Sequence, residues 1–158
     1  MEPERGRRSP SARSATGEGT VVSQLRSLLY VSRILIPSAD RPTEIDRIVT
    51  VSAARNRTLN VTGALIVTKS RFAQVLEGPD SAIEGLMASI RRDPRHGELA
   101  VVFDRAIAGR RFDGWSMAYS GNAEYVTRLV DPLGGVSAPP DDADALRLIG
   151  FMKGMAGS

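Results

Sequence analysis

Two polar side chains set in otherwise apolar strands are where this sequence could do chemistry. Gln74 lies in Phe72-Ala-Gln-Val-Leu-Glu-Gly78, and Tyr30 in Leu28-Leu-Tyr-Val31. A buried amide costs a few kcal/mol when its hydrogen bonds are unmade, so Gln74 needs a partner, either protein or ligand. An amide carries a donor at one end and an acceptor at the other, and turning it over reverses the polarity it presents. A phenol has a reference pKa of about 10, so at neutral pH it keeps a proton and an electron to give.

Alternation places these groups. Successive strand residues point to opposite faces, so Phe72, Gln74 and Leu76 go together, opposite Ala73, Val75 and Glu77. Leu28, Tyr30 and Ser32 share one face of an earlier strand. If the two strands are neighbours, Tyr30 and Gln74 stand side by side, and Asn56, at the end of a helix, closes a polar cluster over them. The plain structural reading is that the three satisfy one another, as buried polar groups generally do. On pattern alone that reading is the better one.

The elements that position them follow from periodicity. Leu25 to Ser32 reads as a strand. Pro42 opens a helix where its missing N–H does no harm; Ile45, Ile48, Val49 and Ser52 then fall at i, i+3, i+4, i+7, and the helix ends near Asn56. A hairpin over Val61–Thr68 and Phe72–Gly78 turns at Lys69-Ser-Arg71. A second helix starts at Pro79-Asp80, presents Ile83, Leu86, Met87 and Ile90, and stops at Asp93-Pro94. Strands are expected at Leu99–Ile107 and Trp115–Ser120. The order β-α-β-β-α-β-β predicts an α+β, ferredoxin-like sheet with both helices on one face, because right-handed crossovers put them there. Glu124–Val130 suits a short helix. Asp141–Met155 suits another, with Ala145, Leu148, Ile149 and Met152 as its apolar stripe. Gly134–Pro140 reads as a linker, and 1–22, rich in Ser, Arg, Gly and Pro, as a disordered tail. The expected domains are therefore 1–22, 23–120 and a helical extension at 121–158.

Composition narrows the function. At 158 residues and 42% hydrophobic, the chain suits one folded domain. With no cysteine there is no disulfide, thiolate metal site or thiol catalysis, and His96 as the only histidine excludes a His-based triad or multi-histidine metal site. Of the 21 basic residues only Lys69 and Lys153 are lysine, and they are spread along the chain, so a solvated arginine-rich surface is expected rather than a nucleic-acid stripe. No apolar run reaches membrane-span length, and the start lacks a secretory pattern, so a cytoplasmic protein without a membrane partner is expected. Glu77, Asp80 and Glu84 form no acid/base pair: Glu77 points away from Gln74, and Asp80 is read as a helix cap. Gly63 and Gly78 read as backbone accommodations. Trp115, Met117 and Tyr119 alternate and are expected on one strand face. On its own pattern His96 reads as a helix-end cap.

In order along the chain stand Leu29-Tyr-Val-Ser32, Arg55-Asn56 with Val61-Thr-Gly-Ala-Leu65, Phe72-Ala-Gln-Val-Leu-Glu-Gly78, Asp93-Pro-Arg-His96 and Arg110-Arg-Phe-Asp-Gly-Trp-Ser-Met117. Together they closely resemble the BLUF family of flavin-using blue-light sensors, from about Leu25 to Ser120. The resemblance implies a non-covalently bound flavin, FAD or FMN, between the two helices, and a photoreceptor rather than an enzyme. It implies that Tyr30 supplies an electron and a proton to the excited flavin, and that Gln74, between Tyr30 and the ring, rearranges its hydrogen bonds. Since a net hydrogen bond is worth roughly 0.5–1.5 kcal/mol, two such patterns can interconvert. Asn56 then binds the ring's polar edge, Ile48 and Ile90 clamp its faces, and Ser52, Leu65 and Phe72 complete the cofactor contacts. Arg95 and His96 fall near the ribityl-phosphate end. Trp115 and Met117 match residues that move relative to the pocket, and which of them faces the flavin stays open.

Three departures stand out. Arg55 occupies a position where many members have a second asparagine, Ser89 one where some carry a basic residue, and no output domain is recognisable after Ser120. The signal is thus expected to pass through the C-terminal segment, a homo-oligomer or a separate downstream protein. The competing readings are a pigment-free ferredoxin-like regulatory module and a small hydrolase on the same fold; the hydrolase lacks a Gly-rich phosphate loop.

Overall fold

The computed structural model describes residues 24–134 and 141–156; the expected tail at 1–22 and all of the expected linker after Gly134 lie outside the described residues. In chain order the elements are β1 (Leu25–Ile34), α1 (Arg41–Thr58), β2 (Thr62–Val67), β3 (Arg71–Pro79), α2 (Asp80–Arg92), β4 (His96–Ile107), β5 (Trp115–Ser120), α3 (Glu124–Val130) and α4 (Asp142–Ala156). The strands form one sheet in the order β4-β1-β3-β2-β5. β1 runs antiparallel to β3 and β4, β2 antiparallel to β3, and β5 parallel to β2. This is the expected ferredoxin-like order with a fifth strand added beyond β2.

Local chemistry explains the ends of α1. Pro42 sits in its first turn, and Asn60 takes a left-handed φ of 60° just past its end. That turn lets Val61 N–H reach the Asn56 carbonyl at 2.8 Å, the long hydrogen bond of a Schellman close. α2 begins at Asp80 without a side-chain cap, which corrects the capping role expected for Asp80. Its carboxylate instead accepts from Arg26 at 2.9 Å, and Arg26 also grips Asp104 of β4 through two 2.8 Å bonds. Pro79, not Asp80, occupies the N-cap position of α2, and the Asp80 carboxylate is turned to β1.

Alternation divides the core as expected. Leu28, Leu76 and Tyr30 pack under Ile83, Leu86, Met87 and Ile90 of α2, while Leu65, Val67 and Phe72 pack under Ile45 and Ile48 of α1. Both helices therefore cover one face. The other face, with Leu29, Val31, Ala64, Ile66, Ala73 and Val75, is covered by α3 and α4 through Val126, Val130, Ala145, Leu148, Ile149 and Met152. The apolar stripe of α4 is thus a second half of the core.

β5 departs from simple alternation. Leu65 pairs with Met117, but the next residue of β2, Ile66, pairs with Tyr119, so Ala118 is an extra residue in β5. Such a bulge flips the facing of everything after it. Trp115 and Met117 stay on the side of α1 and α2, whereas Tyr119 joins the core beneath α3 and α4. The expected common face for these three residues is corrected accordingly.

Two features fasten β5. Gly63 has a φ of 148°, and a Cβ there would lie 1.9 Å from the Val75 carbonyl oxygen, so only glycine fits. Glu77 is fully buried on the face away from Gln74, and its Oε1 accepts from the N–H groups of Arg111 at 2.7 Å and Phe112 at 3.3 Å. The Arg110 guanidinium donates to the carbonyls of Glu77 and Asn60, each at 2.8 Å. The loop leading into β5 is thereby tied to β3 and to the end of α1.

Candidate functional site

Register brings the two chemically interesting groups together. Tyr30 of β1 pairs with Gln74 of β3, Gln74 with Leu65 of β2, and Leu65 with Met117 of β5, making one row across the face beneath α1 and α2. In that row the Tyr30 hydroxyl donates to Gln74 Oε1 at 3.3 Å. Both residues are buried. At 3.3 Å the bond is long for O–H···O, and so weak and easily exchanged.

Over this row lies a cavity of about 120 Å³ between the sheet and the two helices. Its floor is Tyr30, Leu65, Phe72, Gln74 and His96, and its walls include Ile48 and Ser52 of α1 and Ile90 of α2. Nine of the twelve residues expected at the site line it: these eight and Arg95. Asn56, Trp115 and Met117 do not. Trp115 stands in the next row, beside Gly63, and its buried indole N–H has no hydrogen-bond partner among the described residues.

The cavity continues outward. Arg47, Arg55, Ser89, Asp93 and Arg95 line both it and an open groove of about 540 Å³. The inner part alone is smaller than the roughly 300–1,000 Å³ of an ordinary small-molecule site, and inner part and groove together reach that range. Arg47, Val51, Arg55, Ser89 and Asp93 were missing from the sequence-derived site. The spacing held the signal for three of them, since Arg47, Val51 and Arg55 recur at i, i+4, i+8 beside Ile48 and Ser52.

His96 belongs to the floor. Its ring packs on Phe72 with centroids 4.6 Å apart, lies 5.9 Å from Tyr30, and hydrogen-bonds through Nδ1 to Ser32 Oγ at 2.7 Å. Glu98, with a φ of 47°, lies at an irregularity in the β1–β4 pairing just beyond it. The ring therefore does not serve as a helix-end cap. Burial lowers its pKa, helped by Arg95 and opposed by Asp93. At the cavity edge, burial alone would raise the Asp93 carboxyl, but hydrogen bonds from Arg95 hold it below the usual value; the same bonds raise Arg95. Burial pushes the Tyr30 phenol well up, against the pull of the Arg55 charge and with that of Asp93. The floor is thus neutral and the rim charged.

Asn56 is the polar group of the expected cluster that the described residues leave unsatisfied. It is buried to 1% exposure, yet neither its Nδ2 nor its Oδ1 has a hydrogen-bond partner among the described residues. Tyr30 and Gln74 bond each other, and Asn56 stands outside that pair. It lies one turn beyond Ser52 of the cavity wall, a buried amide of the kind that native folds rarely leave unpaired. No group of three or more His, Cys, Asp or Glu suited to a metal ion occurs among the described residues.

A family model described as sensors of blue-light using FAD, BLUF, matches residues 25–118. The photoactivated adenylate cyclase subunit beta of Euglena gracilis is 34% identical over 104 residues, covering 66% of this chain and 12% of that protein. The chain thus spans only a small part of the curated relatives it matches. Among solved structures, the BLUF protein BlrB in its dark state is 36% identical with a TM-score of 0.64, covering 80% of this chain and 96% of that one. Klebsiella pneumoniae BlrP1 with FMN and cyclic diGMP is 28% identical with a TM-score of 0.58, covering 82% of this chain and 35% of that one.

Proposed function

This chain belongs to the BLUF family, sensors of blue light using FAD, and from that premise we propose that Tyr30 and Gln74 are its photochemical pair, within a light-sensing domain at 23–120. The domain is a sensor, not an enzyme. The observation that carries the assignment is the cavity floored by the bonded pair Tyr30 and Gln74, with the buried, unpartnered amide of Asn56 next in sequence to Arg55 of its lining. A flavin ring, flat and edged with carbonyl and N–H groups, would offer the partners this amide lacks. Ile48 and Ile90 line the cavity from opposite helices and suit the faces of such a ring, with Ser52, Leu65 and Phe72 around it.

When bound, the flavin supplies the blue absorption and an excited state that accepts an electron. Tyr30 stays a neutral phenol because burial opposes its ionisation. Once it loses an electron its proton becomes strongly acidic, and the Gln74 Oε1 at 3.3 Å is the acceptor in place to receive the hydrogen bond or the proton. Gln74 then presents the opposite pattern of donor and acceptor to the cavity, by turning or tautomerising. Leu65 and Met117, next in the row, link this event to β5.

The light state is passed to a partner protein or a second copy of this chain, and the helical extension at 121–158 is our proposed route. Its described helices cover the sheet face opposite the cavity, which supports that choice. No helix among the described residues is long and apolar enough to cross a membrane.

The test is an absorption spectrum of flavin-loaded protein before and after blue light. A small reversible red shift is expected, and Gln74→Leu should keep the flavin yet lose the shift, since leucine fills similar volume without donor or acceptor. A colourless protein that refuses added flavin would return the chain to the pigment-free module. A full shift in Gln74→Leu would remove Gln74 from the switch.

A further inference from the structure

The mouth of the cavity carries more positive charge than its own carboxylates neutralise. Arg47, Arg55, Arg92 and Arg95 line the outer groove with only Glu44 and Asp93 against them. Arg95 is fully engaged: it bonds Asp93 at 2.6 and 2.9 Å and reaches Glu44 at 3.4 Å. Arg47 donates to Glu44 at 2.7 Å. Arg55 of α1 and Arg92 at the end of α2 have no hydrogen bond or ion pair among the described residues, and the Nε of Arg55 is buried without a partner.

The dipoles of α1 and α2 favour cations near their C-terminal ends. That accounts for arginines at these positions but not for a guanidinium N–H buried and unsatisfied. Two free guanidinium groups lining one groove from different helices repel each other until an anion with several acceptor oxygens lies between them, and phosphate is the anion whose geometry the arginine fork matches. The groove is also the way out: Arg55 and Ser89 line both the inner cavity and the groove, so a ring held below leaves its tail there.

We infer that Arg55 and Arg92 hold the phosphate of a flavin nucleotide at this mouth, with the hydroxyl of Ser89, which lines the same groove, as a further donor. Arg95, which the family resemblance places near the phosphate end, is instead a strut joining Asp93 to Glu44 of α1. The inference rests on the flavin-binding reading above and goes beyond it by naming the residues that tell a phosphorylated flavin from riboflavin.

Calorimetric titration of apo-protein with riboflavin, FMN and FAD tests it. FMN and FAD should bind about tenfold or more tightly than riboflavin, with the gap narrowing as salt screens the exposed charges. Arg55→Gln with Arg92→Gln should close the gap, and the single, exposed Arg92→Gln should narrow it with the melting temperature unchanged. Arg95→Gln should lower the melting temperature and keep the gap. Riboflavin binding as tightly as FMN to the unaltered protein, or a gap that survives the double substitution, overturns the inference while flavin binding stands. Inorganic phosphate should compete with FMN and not with riboflavin; if phosphate alone binds as tightly as FMN, the mouth is a free-anion site and the assignment to the flavin falls. Failure of all three flavins to bind defeats the proposed function itself.

Discussion

Asn56→Leu should make the flavin-free protein more stable and the flavin-loaded protein harder to form. The wild-type side chain is buried with its donor and its acceptor both unpartnered, a state that costs about 1–3 kcal/mol. Leucine has a similar volume and nothing to satisfy, so the substitution removes that cost. Residue 56 also lies in the last turns of α1, where leucine's better helix propensity adds at most ~0.7 kcal/mol in the same direction. A gain above that figure must therefore come from the amide. The backbone carbonyl of residue 56, which accepts from Val61 at 2.8 Å, is untouched. For a chain of this size a gain of about 1–3 kcal/mol raises the melting temperature by roughly 3–10 °C. In the complex the ring edge loses its partner, so affinity should fall by roughly 5- to 150-fold. Calorimetric melting of the apo-protein and a flavin fluorescence titration measure the two effects. A variant that melts lower than wild type without flavin, or binds flavin equally well, would show that the Asn56 amide is satisfied within the fold and has no ligand to meet.

Tyr30→Phe should bind flavin normally, fluoresce more brightly and show no light-induced shift, because only the hydroxyl and its long bond to Gln74 are lost, worth at most about 0.5–1.5 kcal/mol of stability; a wild-type light-minus-dark spectrum from this variant would pass the electron-donor role to Trp115. The lowered pKa of His96 sets a pH dependence: below its reference value of 6.5 the unfolded chain takes up a proton that the folded protein resists, so stability is full above that pH, falls on acidification, and levels off once pH drops below the folded value. Urea midpoints should decline from pH 7 to pH 5 in wild type and less in His96→Gln, and equal declines would refute the assignment. The lowered Asp93 carboxyl acts only below its reference value of 3.8, outside this range.

The sheet, both helices over its face and the Tyr30–Gln74 neighbourhood were all legible in the sequence, because alternation and the 3.6-residue period are properties of short segments. Ile83, Leu86, Met87 and Ile90 announce the buried face of α2 without reference to anything distant. Tyr119 was misplaced because a single bulged residue, Ala118, is fixed by pairing with β2 and leaves no mark on β5's own pattern. Asp80 was misread because a helix-start aspartate looks alike whether it caps or, as here, pairs with Arg26 from β1. His96 was read as a helix-end cap, but the packing of Phe72 and the Ser32 hydroxyl draw its ring into the floor.

The sequence by itself determined which residues of β1, β3 and α2 face which side and which side chains could exchange a proton, since both follow from backbone period and functional group. It also carried, through five ordered motifs, the family to which the chain belongs. Only the tertiary structure decided which polar groups are left without partners. Satisfaction depends on what lies within about 3 Å in space, and the neighbours of Asn56, Arg55 and Arg95 come from different elements brought together by folding. The same spacing in sequence would suit an amide bonded to Tyr30 or an amide left bare; packing left it bare, engaged Arg95 with Asp93 and Glu44, and so left unpartnered groups on Asn56 near the end of α1 and on Arg55 and Arg92 at the cavity mouth.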